Sequence, residues 1–356
     1  MKLSVVLVHY HTPQLAERAC QALLQDAAAS GLELELVLID NGSQPEDLAL
    51  LEGLPARRIN PGANLGYAGG ANLGVRETSA DFLVVMNPDV EVLPGCLEAL
   101  VESLDAGSAA VGPRFYWDHD KRFLLPPTEP VSFAFEACTI LARRGGAWAS
   151  YARRRWRRHA RRHWLAGAPL PSHQLSGALL ALRRTAWEAI GPFDEAYRLY
   201  FEETDWLTRL RRAGQAARFV PNAEAVHLYA QSTISEERAA QWFEASSRRF
   251  RRQAYGELST RMLEGLSRRI EPRVEPEGRQ RSSTPSQAHW LEVSPSPLGF
   301  PAAGRHFPTG DFAWELPEPI RRRMAPGRYL LSAVDKAGHG IETRVVDISA
   351  PSQSQR

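Results

Sequence analysis

Cysteine is scarce in this sequence, and no long apolar run is present. Cys20, Cys96 and Cys138 are widely separated in a chain of 356 residues, so no two of them have the spacing of a metal site. Their small, odd number is typical of a reducing compartment. The run at residues 3–8 is too short for the core of a signal peptide, and no stretch approaches the roughly 20 apolar residues of a membrane span. We therefore expect a cytoplasmic protein.

Strong net charge and the common nucleotide-binding fingerprints are also missing. The formal net charge is +2, which by itself favours no class of partner. Residues 64–74 contain four glycines, but the spacing of Gly66, Gly69 and Gly70 does not fit G-x-G-x-x-G, and no G-K-[ST] loop occurs. A Rossmann oxidoreductase and a P-loop NTPase are therefore excluded. Because each glycine weakens a helix by about 1 kcal/mol, we expect this cluster to serve a close backbone approach or an unusual turn.

Short apolar runs alternate with helical patterns in the first part of the chain. Residues 3–8 and 34–39 read as buried strands, and Thr12-Pro13 between them is a helix start with a hydroxyl cap. Residues 82–87 form a further apolar run of the kind covered on both faces. A β-α-β beginning with such strands predicts an α/β fold with a parallel sheet flanked by helices.

Carboxylates follow two of these predicted strands. Asp40 comes directly after the second, and Asp89 follows Pro88, which stops the third. Open α/β sheets bind ligands at the carboxyl ends of their strands. Asp89 therefore suits a hard divalent cation and, through it, a diphosphate, and Asp40 suits a hydrogen bond from a base or ribose. An ordinary turn or helix cap is the alternative at both positions.

A third group of carboxylates stands at the start of a predicted helix after Tyr200. Acids in a first turn are stabilised by the helix dipole, which is explanation enough for their presence. On a helix, however, Glu202 and Asp205 share a side, and Asp205 can pair with Arg209 one turn later. Glu203 is then left for chemistry as a general base.

From Tyr116 to about Ser172 the periodic pattern dissolves, and arginine becomes frequent. Nine arginines lie between Arg143 and Arg162, interleaved with tryptophan and tyrosine and without a single acid. A basic helix flanked by aromatic residues indicates an anionic membrane surface or a phosphate-bearing acceptor. A solvated charged helix and a nucleic-acid contact are the alternatives.

The last part of the chain changes character. Residues 271–285 are a polar linker rich in Arg, Pro and Ser, and residues 290–348 contain short strand runs separated by Pro and Gly. We therefore expect a first domain over residues 1–268 with a variable insertion at 116–175, a linker at 269–288, and a small all-β, sandwich-like domain at 289–350.

Several segments, in order along the chain, together resemble the inverting nucleotide-sugar glycosyltransferases of family 2, and in particular the rhamnosyltransferase-like branch. They are residues 5–10 with 40–43, residues 64–74, residues 87–89, and residues 177–180 with 191–195, 201–205 and His227. The resemblance covers residues 3–260 or so. It implies a GT-A fold, a Rossmann-like and mostly parallel sheet flanked by helices.

The resemblance also implies roles for individual residues. Glu203 would be the catalytic base, at a position where the family usually has Asp, and Asp89 and His227 would hold Mg²⁺ or Mn²⁺ on the diphosphate. The implied donor-binding residues are Asp40, Asn64, Gly66, Tyr67, Gly69, Gly70, Asn72 and Asn87, the last at a position where related enzymes often have an acid. The implied acceptor-side residues are Gly177, Glu202, Asp205 and Trp206.

The expected function is metal-dependent, inverting transfer of a sugar from a nucleoside-diphosphate sugar to a hydroxyl of a glycan or lipid-linked acceptor in cell-surface polysaccharide assembly. The branch suggests dTDP-rhamnose as donor, and residues 143–162 suggest peripheral contact with the inner face of the membrane. A nucleotidyltransferase would need a Gly-rich basic signature near the first strand, which residues 8–13 lack. A catalytically inactive protein of the same fold that binds a sugar nucleotide or nucleic acid remains the alternative.

Overall fold

The computed structural model describes residues 1–228, 236–271, 287–309 and 311–349. The chain divides into two compact units. The first comprises residues 1–115, 128–130 and 166–256, and the second comprises residues 116–127, 131–165 and 257–356. Most of the predicted insertion therefore groups with the C-terminal residues and not with the first domain. Residues 272–286 of the predicted linker lie outside the described residues.

The helices and strands of the described residues are numbered in chain order. They are β1 (Lys2–His9), α1 (Pro13–Ala29), β2 (Glu33–Asp40), α2 (Pro45–Ala49), β3 (Arg57–Ile59), α3 (Gly66–Arg76), β4 (Phe82–Met86), β5 (Val90–Val92), α4 (Cys96–Asp105), β6 (Ala110–Tyr116), α5 (Phe133–Ala142), α6 (Gly146–Trp164), β7 (Leu170–Pro171), β8 (Leu179–Arg183), α7 (Arg184–Ile190), α8 (Glu202–Arg212), β9 (Ala217–His227), α9 (Glu236–Tyr255), α10 (Glu257–Arg269), β10 (Ala288–Ser294), β11 (Ala303–His306), α11 (Glu318–Arg321), β12 (Gly327–Asp335) and β13 (Gly340–Ile348).

In the described part of the first unit, nine strands form one sheet in the order β3-β2-β1-β4-β8-β6-β9-β5, with β7 paired to β9. The pairs β3–β2, β2–β1 and β1–β4 are parallel, because α1, α2 and α3 supply the crossovers that parallel pairing needs. The strands β8 and β4, β6 and β8, and β5 and β9 pair antiparallel. The sheet is thus mixed, and its described parallel pairs join the four strands β3, β2, β1 and β4.

Both faces of the sheet are covered, as predicted from the continuous apolar runs. Along β1, Leu3, Val5 and Leu7 enter the core under α1 and α4, whereas Val6 and Val8 enter the core under α3, α7 and α8. This alternation follows from the two-residue period of a strand. The strand's carboxyl end is thereby fixed between two packed layers.

Helix α1 begins at Pro13 as predicted, but the hydroxyl of Thr12 makes no capping hydrogen bond with the described residues. The reason is the backbone of Thr12, whose ψ of 52° lies outside the extended region that a capping residue adopts. The strands predicted at 217–220 and 225–227 are one strand, β9. The predicted helix over 241–266 is two helices, divided at Gly256 with a φ of +83°.

The glycine cluster forms helix α3 (Gly66–Arg76). Its glycines do serve the predicted close approach. A Cβ at Gly70 would lie 3.0 Å from Val8 Cγ1, and a Cβ at Gly74 would overlap the side chain of Val6. The helix tolerates weak formers because their missing side chains let it lie directly on β1.

The second unit combines α5, α6 and α10 with a four-stranded antiparallel sheet in the order β11-β10-β12-β13. Trp156 and Trp164 of α6 share one core with Trp290 and Phe300, and the rings of Trp164 and Trp290 stack at 5.1 Å. In the described residues a helix therefore covers this sheet where the expected sandwich would have a second sheet. No helix in the described ranges is both long enough and apolar enough to cross a membrane.

Some arginines of α6 are structural. Arg157 Nε lies 2.8 Å from Glu292 Oε2, and both side chains are buried. Arg161 donates to the carbonyl oxygens of Lys336 and Asp335 at 2.8 and 2.7 Å. The carboxylate that compensates Arg157 therefore comes from β10 and not from the helix itself.

We predict that Glu292→Gln lowers the free energy of unfolding by about 3–5 kcal/mol, because it leaves the Arg157 charge buried without its carboxylate. The double variant Arg157→Met/Glu292→Met should recover most of that loss. Urea titration of the full chain followed by tryptophan fluorescence measures both. Arg158→Met, at the exposed neighbouring position, is the control and should change little. Equal losses in the single and double variants would contradict the prediction.

Candidate active site

The carboxyl ends of β1, β2 and β4 lie side by side. In the parallel register His9 is opposite Asp40, and His9 Nε2 lies 3.4 Å from Asp40 Oδ1. Asp40 also accepts a hydrogen bond from Ser43 N at 3.1 Å, while its Oδ2 has no hydrogen-bond partner in the described part of the chain. Burial lowers the pKa of His9, and the nearby carboxylates of Asp40 and Asp47 oppose that effect.

Asp89 and His227 are brought together by the pairing of β5 with β9. Val90 is opposite His227 in the register, and Leu228 N donates to Asp89 O at 2.9 Å. As a result His227 Nε2 lies 3.5 Å from Asp89 Oδ2. Asp89 is 1% exposed, and its Oδ1 has no hydrogen-bond partner among the described residues.

This pair is a candidate for holding a divalent cation. A buried carboxylate oxygen without a partner, next to an imidazole nitrogen, offers ligand atoms that Mg²⁺ and Mn²⁺ accept. Within the described ranges, no group of three or more His, Cys, Asp or Glu side chains could hold a metal. Asp89 and His227 are therefore the two ligands that the described residues offer here.

Glu202 and Glu203 enter the site through a strained piece of backbone. Tyr200 and Phe201, directly before α8, have φ of +67° and +71°, which L-residues with large side chains rarely adopt. The ring of Phe201 lies 5.4 Å from that of Phe243 and 5.6 Å from that of Phe250, both on α9. Packing against α9 thus holds a conformation that is unfavourable on its own.

Tyr67 marks the place where these groups converge. Its hydroxyl donates to Gly177 O at 3.1 Å, and a Cβ at Gly177 would lie 3.0 Å from Glu203 Cγ. Burial raises the pKa of Tyr67 well above its ordinary value, and the carboxylates of Glu202, Glu203 and Asp89 raise it further. The charges of residues predicted as base, metal ligand and acceptor side therefore act on one phenol.

The two glutamates are more basic than ordinary carboxylates. Burial raises the pKa of Glu203, although hydrogen bonds, including one from Thr204 Oγ1 at 3.1 Å, work in the opposite direction. Burial and the charge of Glu203 raise the pKa of Glu202 well above its usual range. Glu202 is 4% exposed, so Glu203 is the more accessible of the two.

The predicted donor-side residues separate into two sets. Asn64, Gly66, Tyr67 and Asn87 line a common cavity of about 100 Å³, with His9 at its border. His9 and Asp40 also line an adjoining cleft of about 500 Å³. That these residues bind the donor stays a prediction.

Gly69, Gly70 and Asn72 are placed differently. They face the neighbouring protein segments: Asn72 Nδ2 donates to Phe193 O and Glu195 Oε1 at 3.0 and 2.8 Å, and Gly69 and Gly70 have no room for a Cβ without close contacts. The reason is the helical form of α3, which turns these positions towards the sheet and the loop at 193–195.

Two predicted acceptor-side residues also lie away from the cavity. Trp206 is fully buried with Trp187 and Phe193, and its Nε1 donates to Gly191 O at 2.8 Å. Asp205 pairs with Arg209 Nε at 2.8 Å, as the helical spacing predicts. Both side chains serve the packing of α8.

Sequence reasoning missed several residues of the site, of which His9, Arg198 and Trp242 are polar or aromatic. His9 had a signal, since it ends the first strand at the ligand-binding edge. Arg198 and Trp242 also line the cavity, with the guanidinium 5.3 Å from the indole centroid. No local pattern marks either of them, because they meet only through the packing of α9.

The chain is similar to several known proteins. The sequence profile described as Glycosyl transferase family 2 matches residues 4–167. An N-acetylglucosaminyl-diphospho-decaprenol L-rhamnosyltransferase from Mycobacterium tuberculosis is 32% identical over 253 residues, which are 65% of this chain and 77% of that protein. A low-salt glycan biosynthesis hexosyltransferase from Haloferax volcanii is 24% identical over 218 residues, 59% of this chain and 62% of that protein.

A solved structure with low sequence identity is also similar. It is a mannosyltransferase from Pyrobaculum calidifontis in complex with GDP-Man and Mn²⁺, which is 16% identical, with a TM-score of 0.47 over 75% of this chain and 73% of that chain.

We predict that Glu202→Gln stabilises the protein at alkaline pH. Because the native pKa of Glu202 is raised, the native state binds more protons than the unfolded state, and the free energy of unfolding falls as pH rises from about 4 through the raised value. Glutamine has no titrating carboxyl group, so in the variant the free energy of unfolding does not fall for this reason. Urea titrations of the variant and the parent should therefore diverge near pH 8 and converge near pH 4.

The matched control is Glu98→Gln, which changes an exposed carboxylate on α4. It should leave the pH dependence of the free energy of unfolding unchanged. If the free energy of unfolding of Glu202→Gln equals that of the parent at every pH, the pKa of Glu202 is not raised in the native state and the prediction is wrong.

Proposed function

Because the chain belongs to glycosyl transferase family 2, we propose that it transfers a sugar from a nucleoside-diphosphate sugar to an acceptor hydroxyl in a metal-dependent, inverting displacement. Membership rests on the 32% identity to the mycobacterial rhamnosyltransferase, 77% of which the chain covers. It confirms the glycosyltransferase expected from the sequence. The observation that supports the finer proposal is the position of Tyr67: its hydroxyl donates to Gly177 O, next to Glu203, and it lines one cavity with Asn87 and Pro88, directly before Asp89.

The donor nucleotide binds at the carboxyl ends of β1 and β2 in this proposal. Asp40 has a buried oxygen without a described partner, which can accept a hydrogen bond from the base or the ribose. Asn64, Tyr67 and Asn87 line the adjoining cavity and would orient the diphosphate and the sugar. Arg198 at the same cavity adds a positive charge suited to phosphate oxygens.

Asp89 and His227 would hold a Mg²⁺ or Mn²⁺ ion on the diphosphate. The partnerless oxygen of Asp89 and the nearby imidazole support this assignment. A divalent cation there supplies Lewis-acid neutralisation of the charge that develops on the departing diphosphate. Asp89 and His227 would hold the cation at the edge of the sheet, near Tyr67.

Glu203 acts as the general base. It removes the proton of the acceptor hydroxyl while that oxygen forms a bond to the anomeric carbon and the bond to the diphosphate breaks. A single displacement inverts the configuration and needs no enzyme nucleophile. The raised pKa of Glu203, caused by burial, makes the carboxylate a stronger base than an exposed glutamate.

The donor and the acceptor are proposed from the relative. Its name specifies rhamnosyl transfer to a diphospho-decaprenol-linked N-acetylglucosamine. We therefore propose dTDP-rhamnose as donor and a lipid-linked sugar diphosphate as acceptor, in cell-surface polysaccharide assembly.

Glu203→Gln should reduce kcat by roughly 10²- to 10⁴-fold, because the base is lost, while the Kd for the sugar nucleotide changes little. The transfer assay measures release of dTDP from dTDP-rhamnose in the presence of a polyprenyl-diphosphate N-acetylglucosamine. Isothermal titration measures donor binding. Glu203→Asp, which restores the usual residue of the family, is the matched variant and should keep part of the activity.

The pH dependence gives a second readout of the same residue. Since the pKa of Glu203 is raised, the acidic limb of kcat/KM in the parent should lie above the ordinary glutamate value of about 4.3. Glu203→Gln should lack this limb. Parent-like turnover in that variant would refute the role of base.

Asp89→Ala should abolish the strengthening of nucleoside-diphosphate binding by Mn²⁺, because it removes the buried ligand oxygen. Titration of dTDP with and without Mn²⁺ measures the effect independently of turnover. The matched control is Asp81→Asn, an exposed carboxylate just before the amino end of the same strand, β4. A variant at position 89 that still responds fully to Mn²⁺ would overturn the assignment.

A further inference from the structure

Helix α6 of the second unit has two chemically different faces. The inner face packs in the core of the unit, and it also carries the structural arginines Arg153 and Arg157. The outer face follows from the helical repeat: Trp148, Tyr151, Arg154, Arg158, Arg162 and, just after the helix, Leu165. Trp148, Tyr151 and Leu165 are 47%, 53% and 60% exposed.

The charges of the outer face are not neutralised within the protein. Arg154, Arg158 and Arg162 are exposed and have no ion-pair partner among the described residues. Some exposed arginines elsewhere in the same unit do have one, since Arg322 pairs with Glu318 and Arg328 pairs with Asp347. No acid occurs from Arg143 to Trp164. The outer face of α6 is therefore a row of uncompensated cations between exposed apolar side chains.

This combination matches the interface of an anionic lipid bilayer. Arginine groups at the surface meet headgroup phosphates, and Trp and Tyr favour the boundary between headgroups and acyl chains. The exposed indole of Trp148 and the exposed Leu165 favour a bilayer over a nucleic-acid backbone, which offers charge to the arginines but no apolar layer to Leu165.

We propose that the outer face of α6 binds an anionic membrane surface, with Arg154, Arg158 and Arg162 at the headgroups and Trp148 and Tyr151 at the interface. The inner arginines take no part, because Arg157 and Arg161 are engaged with the C-terminal sheet. This inference goes beyond the proposed sugar transfer and does not depend on it. Its use to such an enzyme would be to hold the chain where lipid-linked acceptors are found.

The test is co-sedimentation of the full chain with vesicles of phosphatidylglycerol and phosphatidylcholine in equal parts, compared with vesicles of phosphatidylcholine alone. The protein should bind the anionic vesicles and lose affinity as salt rises. Arg154→Gln/Arg158→Gln/Arg162→Gln should bind roughly 100-fold more weakly, since each surface cation near an anionic leaflet contributes about a fivefold factor.

The control has the same loss of charge at another surface: Arg76→Gln/Arg211→Gln/Arg212→Gln, all exposed in the first unit. It should bind like the parent apart from a small general effect of net charge. Trp148→Ser/Tyr151→Ser should weaken the binding that remains at high salt, because that part comes from apolar contact. Thermal unfolding of each variant confirms that the protein is folded.

Three results would overturn the proposal: equal binding to both kinds of vesicle, equal losses in the two triple variants, or tighter binding to a DNA duplex than to anionic vesicles under the same salt. The assay contains neither donor nor acceptor. Glu203→Gln should bind vesicles like the parent, so failure of the membrane proposal and failure of the proposed function are told apart.

Discussion

Three carboxylates in one partly buried space form the constraint around which the first unit is organised. The pKa of Tyr67 is raised by the charges of Glu202, Glu203 and Asp89. Burial also raises the pKa of each of the two glutamates. Like charges so placed repel one another unless a cation or proton compensates them. The fold supplies the necessary rigidity by two means: a sheet covered on both faces beneath Asp89, and the packing of α9 on the strained backbone before α8.

The part of this arrangement that depends on local sequence could be predicted. Apolar runs located β1, β2 and β4, and the residues that follow them, Asp40 and Asp89, lie at one sheet edge because parallel strands end together. The helical repeat correctly paired Asp205 with Arg209. It could not show that Trp206 turns into the core, since an amphipathic pattern does not tell which layer covers a helix.

The remaining parts depend on contacts between distant residues. Strand β8 pairs antiparallel with β4 after the insertion, and no residue within β8 encodes that direction. Arg198 and Trp242 reach the cavity only through the position of α9. The arginines of residues 143–162 looked alike in the sequence, yet Arg157 is buried on Glu292 while Arg158 is exposed. The two arginines differ because Arg157 has a carboxylate partner, Glu292, which lies 135 residues later in the chain.

That distance has a consequence for how the chain is made. Helix α6 leaves the ribosome long before β10. Arg157 therefore cannot contact Glu292 until residues 166–256, the last part of the first unit, have been synthesised. During that interval the inner face of the helix, with its tryptophans, has no sheet to cover it. Gene fragments that end before residue 292 leave that face uncovered permanently, and we expect them to accumulate poorly in cells.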